Sequence, residues 1–254
     1  MPAVSAEGII LRKYYLRETS LILVVFTREH GKVRGVLKGV RDPFPQFAGN
    51  FELFTRCDLV FYRKRKSAMD LITQCEALDF FLPLRKDIER LTYANYFIEL
   101  IDVVTQDHDK KEGLYLALLE SLRSLAGGMS PKRVARIFEL KLLQDTGLTP
   151  ELIRCVRCSN EPAENIYFSV AEGGLICGGC VNREDRAIRI SKGTVNFMRK
   201  ILSLPLERTG QIKVSRDVGR EVEGILKKFL EFHVGRQMKS MKFLAEIEKK
   251  GVLV

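Results

Sequence analysis

A chain of 254 residues with 46% hydrophobic and 29% charged side chains can form one large soluble domain or two to three smaller ones. It holds no apolar run of about 18 residues, and Met1 to Lys13 lacks the uninterrupted apolar core of a secretion signal, so a membrane span and export are disfavoured and the cytoplasm is expected. The charge is less ordinary: 42 Lys and Arg against 32 Asp and Glu give +10, with a pI near 9.4. That balance suits a polyanion such as nucleic acid, though an acidic protein partner would also satisfy it.

From Val4 to about Phe81 the pattern is β. Leu21 to Phe26 is a continuous apolar run, Glu29-His30-Gly31 reads as a turn, and Lys32 to Gly39 alternates apolar with basic or glycine positions. Phe51, Leu53, Cys57, Leu59 and Phe61 share one parity, as do Met69, Leu71, Cys75 and Ala77 on the strand expected next, so Cys57 and Cys75 are read as small core residues. Five short strands without a helix predict a small closed barrel, and an OB-fold is the favoured form over 1–82. Between Ser5 and Lys66 there are 13 Lys and Arg against 6 Asp and Glu. Arg12, Lys13 and Arg17 fall around the first turn, while Lys32, Arg34, Lys38 and Arg41 follow on the third strand and its exit. Lys32, Arg34 and Lys38 share parity and should project from one face. That face is either merely solvated or, with Tyr14, Tyr15, Phe44 and Phe47 near in sequence, a nucleic-acid groove. The run Arg63-Lys64-Arg65-Lys66 is read as a solubilising hairpin tip.

Beyond Pro83, apolar residues recur at helical spacing from Ile88 to Val104 and again from Leu114 to Leu125, where Gly127-Gly128 stops the helix. A third helix starts at Ser130 and Pro131 and ends at Gly147. Further helices are predicted over Lys192 to about Leu202, about Val218 to His233 and about Met238 to Lys249. Together, 83–152 and 183–254 are expected to form one helical domain. From Arg183 to Val254, 17 Lys and Arg stand against 9 Asp and Glu.

Between these helices, 153–182 carries two C-x-x-C pairs, Cys155/Cys158 and Cys177/Cys180. Each pair can supply two thiolates from a tight turn, the spacing of a structural zinc knuckle. Ile166 to Val170 reads as a strand, Ala171 to Gly174 as a turn, and Leu175-Ile176 as the start of a second strand. Two disulfides or four unrelated core thiols are the rival readings, the first disfavoured without an export signal. Four thiolates close the shell around one zinc per chain and leave no position for substrate, so the metal would be structural, contributing on the order of 10 kcal/mol to local folding. Arg154, Arg157, Arg183 and Arg186 are placed to offset part of the negative charge. The three histidines, His30, His108 and His233, are far apart. No P-loop, nucleophile elbow or deaminase H-x-E accompanies them, so a binding protein is favoured over an enzyme. An RNA-binding OB protein with a zinc ribbon is the alternative.

Several stretches, in order, resemble the RecO family of bacterial recombination and repair proteins: G-I-I-L-R (8–12), F-T-R-E-H-G-K (26–32), L-K-G-V-R (37–41), R-I-F-E-L-K-L-L (136–143), G-L-T-P-E-L (147–152), G-G-L-I-C (173–177) and F-H-V-G-R-Q-M-K-S-M-K-F-L (232–244). The resemblance covers essentially the whole chain. It implies a multi-domain α+β protein with an N-terminal OB-fold, a helical bundle and a zinc knuckle. It also implies a non-catalytic role in the bacterial cytosol, associated with the nucleoid: binding single- and double-stranded DNA, annealing complementary strands, and acting with RecR to load RecA onto strands coated by SSB. No small-molecule substrate is implied. Arg12, Lys13, Arg17, Lys32, Arg34, Lys38 and Arg41 are the expected DNA contacts. RecO-like proteins also grip the acidic, apolar C-terminal tail of SSB, and Lys132, Arg133, Arg136 and Lys141 on the third helix are the residues here that suit it.

Overall fold

The computed structural model describes residues 2–16, 18–40, 51–63 and 69–249. Alternating apolar residues build β1 (Ala3–Leu16), β2 (Ser20–Thr27), β3 (Gly31–Leu37), β4 (Arg56–Tyr62) and β5 (Asp70–Asp79). These close into a barrel in the order β1-β2-β3-β5-β4. β1 is long enough to pair with both β2 and β4, and β3 runs parallel to β5, which makes the barrel OB-like. The two-residue period sends Ile10, Leu23, Val25, Val33, Leu59 and Phe61 into a sealed core. Cys57 and Cys75 lie in that core as small apolar residues; contact with Cys75, then burial, pushes the Cys57 thiol well above its ordinary value. On β5 the expected parity fails. Ile72, not Leu71, faces inward, because the β4–β5 register shifts between Val60 and Phe61 and lets Ile72 and Cys75 share the core side.

The outer wall of the barrel is apolar at one end as well, where Ile9, Val24 and Phe26 are fully buried. Phe26 meets Tyr115 with ring centroids 6.3 Å apart. Tyr115 belongs to α2 (Glu112–Ala126), which with α1 (Ile88–Val104) and α7 (Lys239–Lys249) joins the barrel in one compact unit, residues 1–128 and 238–254. α1 begins where Asp87 accepts hydrogen bonds from the amides of Glu89 and Arg90. Glu99 of α1 does the same for α7, accepting from the Lys239 and Ser240 amides at 2.9 and 3.0 Å.

The second compact unit, residues 129–237, holds α3 (Pro131–Asp145), α4 (Lys192–Ser203), the single turn α5 (Leu206–Thr209) and α6 (Arg216–Val234). It also holds a sheet of β6 (Glu151–Cys155), β7 (Ile166–Ser169), β8 (Gly174–Ile176) and β9 (Ile188–Ile190), in the order β6-β8-β7-β9. Phe168 on β7 packs edge-on against Phe229 of α6, 5.6 Å between centroids. The two compact units divide near residues 128 and 237. α1, α2 and α7 go with the barrel, while α3 to α6 go with the four-cysteine sheet. No helix among the described residues is long and apolar enough to cross a membrane.

Candidate nucleic-acid interface and metal centre

Lys32, Arg34 and Lys38 do share the outer face of β3 and its exit, as their parity requires, since Val33 and Leu37 fill the core between them. Their surroundings separate them. Lys32 is buried, with 7% of its side chain exposed. Its ammonium donates to the carbonyls of Asp102 and Thr105, each at 2.7 Å, and lies 3.3 Å from the Asp102 carboxylate. It thus caps the C-terminal end of α1, where unpaired carbonyls and the negative end of the helix dipole favour a cation. Lys32, expected as a phosphate contact, is engaged inside this unit. The same region seats the segment after α1: the His108 amide donates to the Lys32 carbonyl at 2.9 Å. Gly31, at φ +67°, is required there, because a Cβ would come within 2.2 Å of the Asp109 backbone.

Arg12 is 40% exposed and bonded to Asp102 through Nε. Lys13 is held by Glu52 at 2.7 Å. Arg34 is 44% exposed, with Asp107 only loosely placed at 3.8 Å. Lys38 is exposed and makes no ion pair among the described residues. Arg17 and Arg41 lie outside the described residues, as do Phe44, Phe47 and the 64–66 part of the basic hairpin. The carboxylates Asp102 and Asp107, which take up Arg12 and Lys32 and lean on Arg34, stand on and just after α1. No local sequence signal pairs them with strands so far upstream.

The basic residues of α3 are mostly held within their own unit. Arg136 is buried and ion-paired with Glu139 at 3.3 Å. Arg133 donates through Nη2 to the carbonyl of Ile212. Lys141 donates to the carbonyls of Leu204 and Leu202 at 2.9 and 3.3 Å, capping the end of α4. Lys132 is exposed. A helix with basic residues beside apolar ones suits a docking face; three of the four, Arg133, Arg136 and Lys141, make ties within this unit.

The four knuckle cysteines do come together. β6 and β8 pair in parallel, so Cys155 at the end of β6 and Cys177 just past β8 emerge side by side, each starting a turn that returns the second cysteine of its pair. All four sulfurs lie within 4.8 Å of one another, and none is in a disulfide. Thiolates about 2.3 Å from a tetrahedral metal stand about 3.8 Å apart, and Cys158 Sγ to Cys177 Sγ is 3.7 Å. The cluster could hold a metal ion. Burial works to raise the Cys155 thiol, but amide donors from Cys177, Cys158 and Arg157 outweigh it and bring it down to about 6. Cys180 is pushed up to about 12 by the Cys177 and Cys158 thiols beside it. Crowded sulfurs of this kind share protons until a cation replaces them. Arg157 is not that cation. Its guanidinium bridges Glu172 and Asp185 at 2.7–3.0 Å and reaches the Cys180 carbonyl at 2.7 Å, locking the two knuckles together mechanically. Arg154, Arg183 and Arg186 are exposed.

An OB-like barrel with an exposed cationic wall, continued in one chain by helices and a sheet whose four cysteines could hold a metal ion, fits a multidomain protein of the nucleic-acid-handling class. Residues 1–81 match the family described as "Recombination protein O N terminal", and residues 85–242 match "Recombination protein O C terminal". A protein of Pelotomaculum thermopropionicum named DNA repair protein RecO is 35% identical over 96% of this chain and 94% of its own. Proteins of the same name from Desulforudis audaxviator and Symbiobacterium thermophilum are 34% and 31% identical, each over at least 96% of both chains. The chain belongs to the RecO family of DNA repair proteins.

Proposed function

We propose that this protein is a non-catalytic mediator that binds single- and double-stranded DNA on the outer wall of its barrel. The observation that carries the reading is the pair Arg34 and Lys38, which stand exposed on one face of β3 in a chain of +10 net charge and RecO ancestry. Arg12 borders the same wall, and Arg17 and Arg41, which lie outside the described residues, remain expected contacts from the sequence alone. Lys13 is a weaker participant because Glu52 holds it. Such contacts neutralise phosphates and release counterions without reading sequence. Neutralisation is what annealing needs, since two like-charged strands must approach one another. Family membership supports the remaining steps: action with RecR, loading of RecA on SSB-coated strands, and a place in the bacterial cytosol at the nucleoid. The SSB tail is assigned to α3 with exposed Lys132 as its leading contact, beside Arg133, Arg136 and Lys141, which are already engaged within the unit. The metal is assigned as one structural zinc on Cys155, Cys158, Cys177 and Cys180, because four sulfurs at tetrahedral spacing suit zinc and leave no open position.

The test is the salt dependence of binding. The double variant Arg34→Glu/Lys38→Glu should weaken binding of a labelled oligonucleotide about ten- to a hundred-fold at low salt. Its plot of log affinity against log salt should flatten by about 0.7 per lost contact on single strands and about 0.9 on duplex. An unchanged slope would remove this wall from the DNA interface.

A further inference from the structure

The six cysteines differ sharply in access. Cys57 and Cys75 are sealed in the barrel core. Of the knuckle four, Cys155 is buried and its sulfur accepts the Cys177 amide at 3.4 Å. Cys177 and Cys180 are half-buried, and Cys158 is exposed. The sulfurs of Cys158 and Cys177, one from each knuckle, stand 3.7 Å apart. A disulfide holds its sulfurs about 2.05 Å apart, so this pair has less than about 2 Å to close.

A sulfur bound to zinc is a thiolate at any ordinary pH, because the ion takes the place of its proton. Ionisation therefore does not rank the four sulfurs toward an oxidant, and access does. The most accessible one lies against a sulfur of the opposite knuckle. Arg157 supplies a second condition. Its guanidinium bridges Glu172 and Asp185 and reaches the Cys180 carbonyl without using any sulfur. That grip keeps the two knuckles facing each other while sulfur ligands are consumed.

We propose that Cys158 is an oxidation site with Cys177 as its resolving partner, so that hydrogen peroxide replaces the metal clasp with a disulfide between the knuckles. This oxidation site rests on the assignment of the cluster to zinc and adds the reaction that empties it. The Cys158 thiolate attacks one peroxide oxygen and breaks the O–O bond, becoming a sulfenic acid. The other oxygen leaves as hydroxide and takes a proton from solvent. The Cys177 thiolate then attacks the sulfenic sulfur, forms the S–S bond and expels a second hydroxide, which is also protonated to water. Two electrons pass from sulfur to oxygen, and two thiolates, one peroxide and two protons become one disulfide and two waters. Cys155 and Cys180 remain, too few sulfurs for a closed four-coordinate site. A thiol reductant reverses the change.

The experiment treats the full chain, loaded with zinc under reducing conditions, with hydrogen peroxide in the presence of a zinc-sensitive dye. One equivalent of zinc should be released, and peptide mapping by mass spectrometry should find Cys158 joined to Cys177 while Cys57 and Cys75 stay reduced. Reductant followed by zinc should restore one equivalent of bound metal. Amide hydrogen exchange separates this state from chelated protein: the oxidised chain should keep protection over 151–190 that chelation removes. Arg157→Gln keeps all four sulfurs but loses the grip, so its peroxide products should shift toward bonds within each C-x-x-C pair. Wild-type bonds confined to the C-x-x-C pairs, sulfinic acid without a disulfide, or equal oxidation of Cys57 and Cys75 overturn the proposal. If a chelator removes zinc and peroxide does not, the zinc site stands and only the oxidation site fails. If the reduced protein takes up no zinc, both are withdrawn.

Discussion

The barrel and the four-cysteine sheet are both small β structures, yet opposite terms hold them. The barrel buries side chains on its inside and, through Ile9, Val24 and Phe26, on part of its outside as well. Its strands are 7–14 residues long and pair around a closed ring that leaves no edge. The sheet of β6 to β9 has strands of 3–5 residues, two open edges and knuckles whose tips are exposed. Ile166 and Phe168 of β7 share one face with Leu175 of β8, and Phe168 packs on Phe229 of α6. The knuckle end depends on four sulfurs and on Arg157 between Glu172 and Asp185. A hydrophobic interior specifies a shape by area; a thiol cluster specifies it at a point. The two regions should therefore fail under different insults.

Metal removal should have the largest effect. Chelation, or Cys155→Ser with Cys177→Ser, should unfold the knuckles, with a local loss on the order of 10 kcal/mol. Amide hydrogen exchange should show lost protection over 151–190 while the barrel strands keep theirs. A zinc-sensitive dye should report one equivalent released from the intact protein and none from the serine variant. Protection retained over 151–190 in the metal-free protein would mean that the ties from Arg157 and the packing of Phe168 suffice alone.

Within the barrel the comparison narrows to two lysines on one face of one chain segment. Lys32 donates to three acceptors at the end of α1, whereas Lys38 points into solvent. Lys32→Met takes the ammonium donor from the Asp102 and Thr105 carbonyls, leaves the Asp102 carboxylate to Arg12 alone, and should destabilise the protein by about 3 kcal/mol or more. Lys38→Met should change stability by less than about 0.5 kcal/mol while weakening DNA binding. Chemical denaturation and oligonucleotide titration of both variants separate these outcomes. Equal stabilities would return Lys32 to the surface.

These two lysines also mark what a sequence can and cannot carry. Alternation along 32–39 places Lys32, Arg34 and Lys38 on the outer face, because a strand's period is a local property. Whether a helix covers one end of that face is a long-range property, set by Asp102 some seventy residues later. The same limit explains α3: its basic residues are visible in sequence, but Ile212 and Leu204, which receive Arg133 and Lys141, are not signalled as neighbours. The four cysteines were legible because paired thiols at fixed spacing constrain each other. β6 and β9 were not, since strands of five and three residues carry too short a period to register. The bulge that turns Ile72 inward was hidden for a related reason: it is a mismatch between two strands, and neither strand shows it alone.

The smallest effect sharpens how the barrel is tied to α2. Glu7 on β1 accepts from Arg56 at 2.7 and 2.9 Å and from the Tyr115 hydroxyl at 2.6 Å. The Arg56 guanidinium, then the Tyr115 hydroxyl, hold the Glu7 carboxyl below its ordinary 4.5 against the opposing pull of burial. Burial and the bond to Glu7 push the Tyr115 phenol upward, so it stays protonated as the donor across the physiological range. A carboxyl whose value is depressed by folding adds stability that is complete above its unfolded value and is lost as pH falls through its folded one. Glu7→Gln should therefore cost about 1–2 kcal/mol at pH 7. The gap between wild type and variant should begin to close as pH falls below about 4.5 and vanish once Glu7 is protonated in both states. A gap that widens on acidification would mean that burial, not Arg56, sets the Glu7 titration, and the tie between β1 and α2 would then rest on the apolar contact of Phe26 with Tyr115 alone.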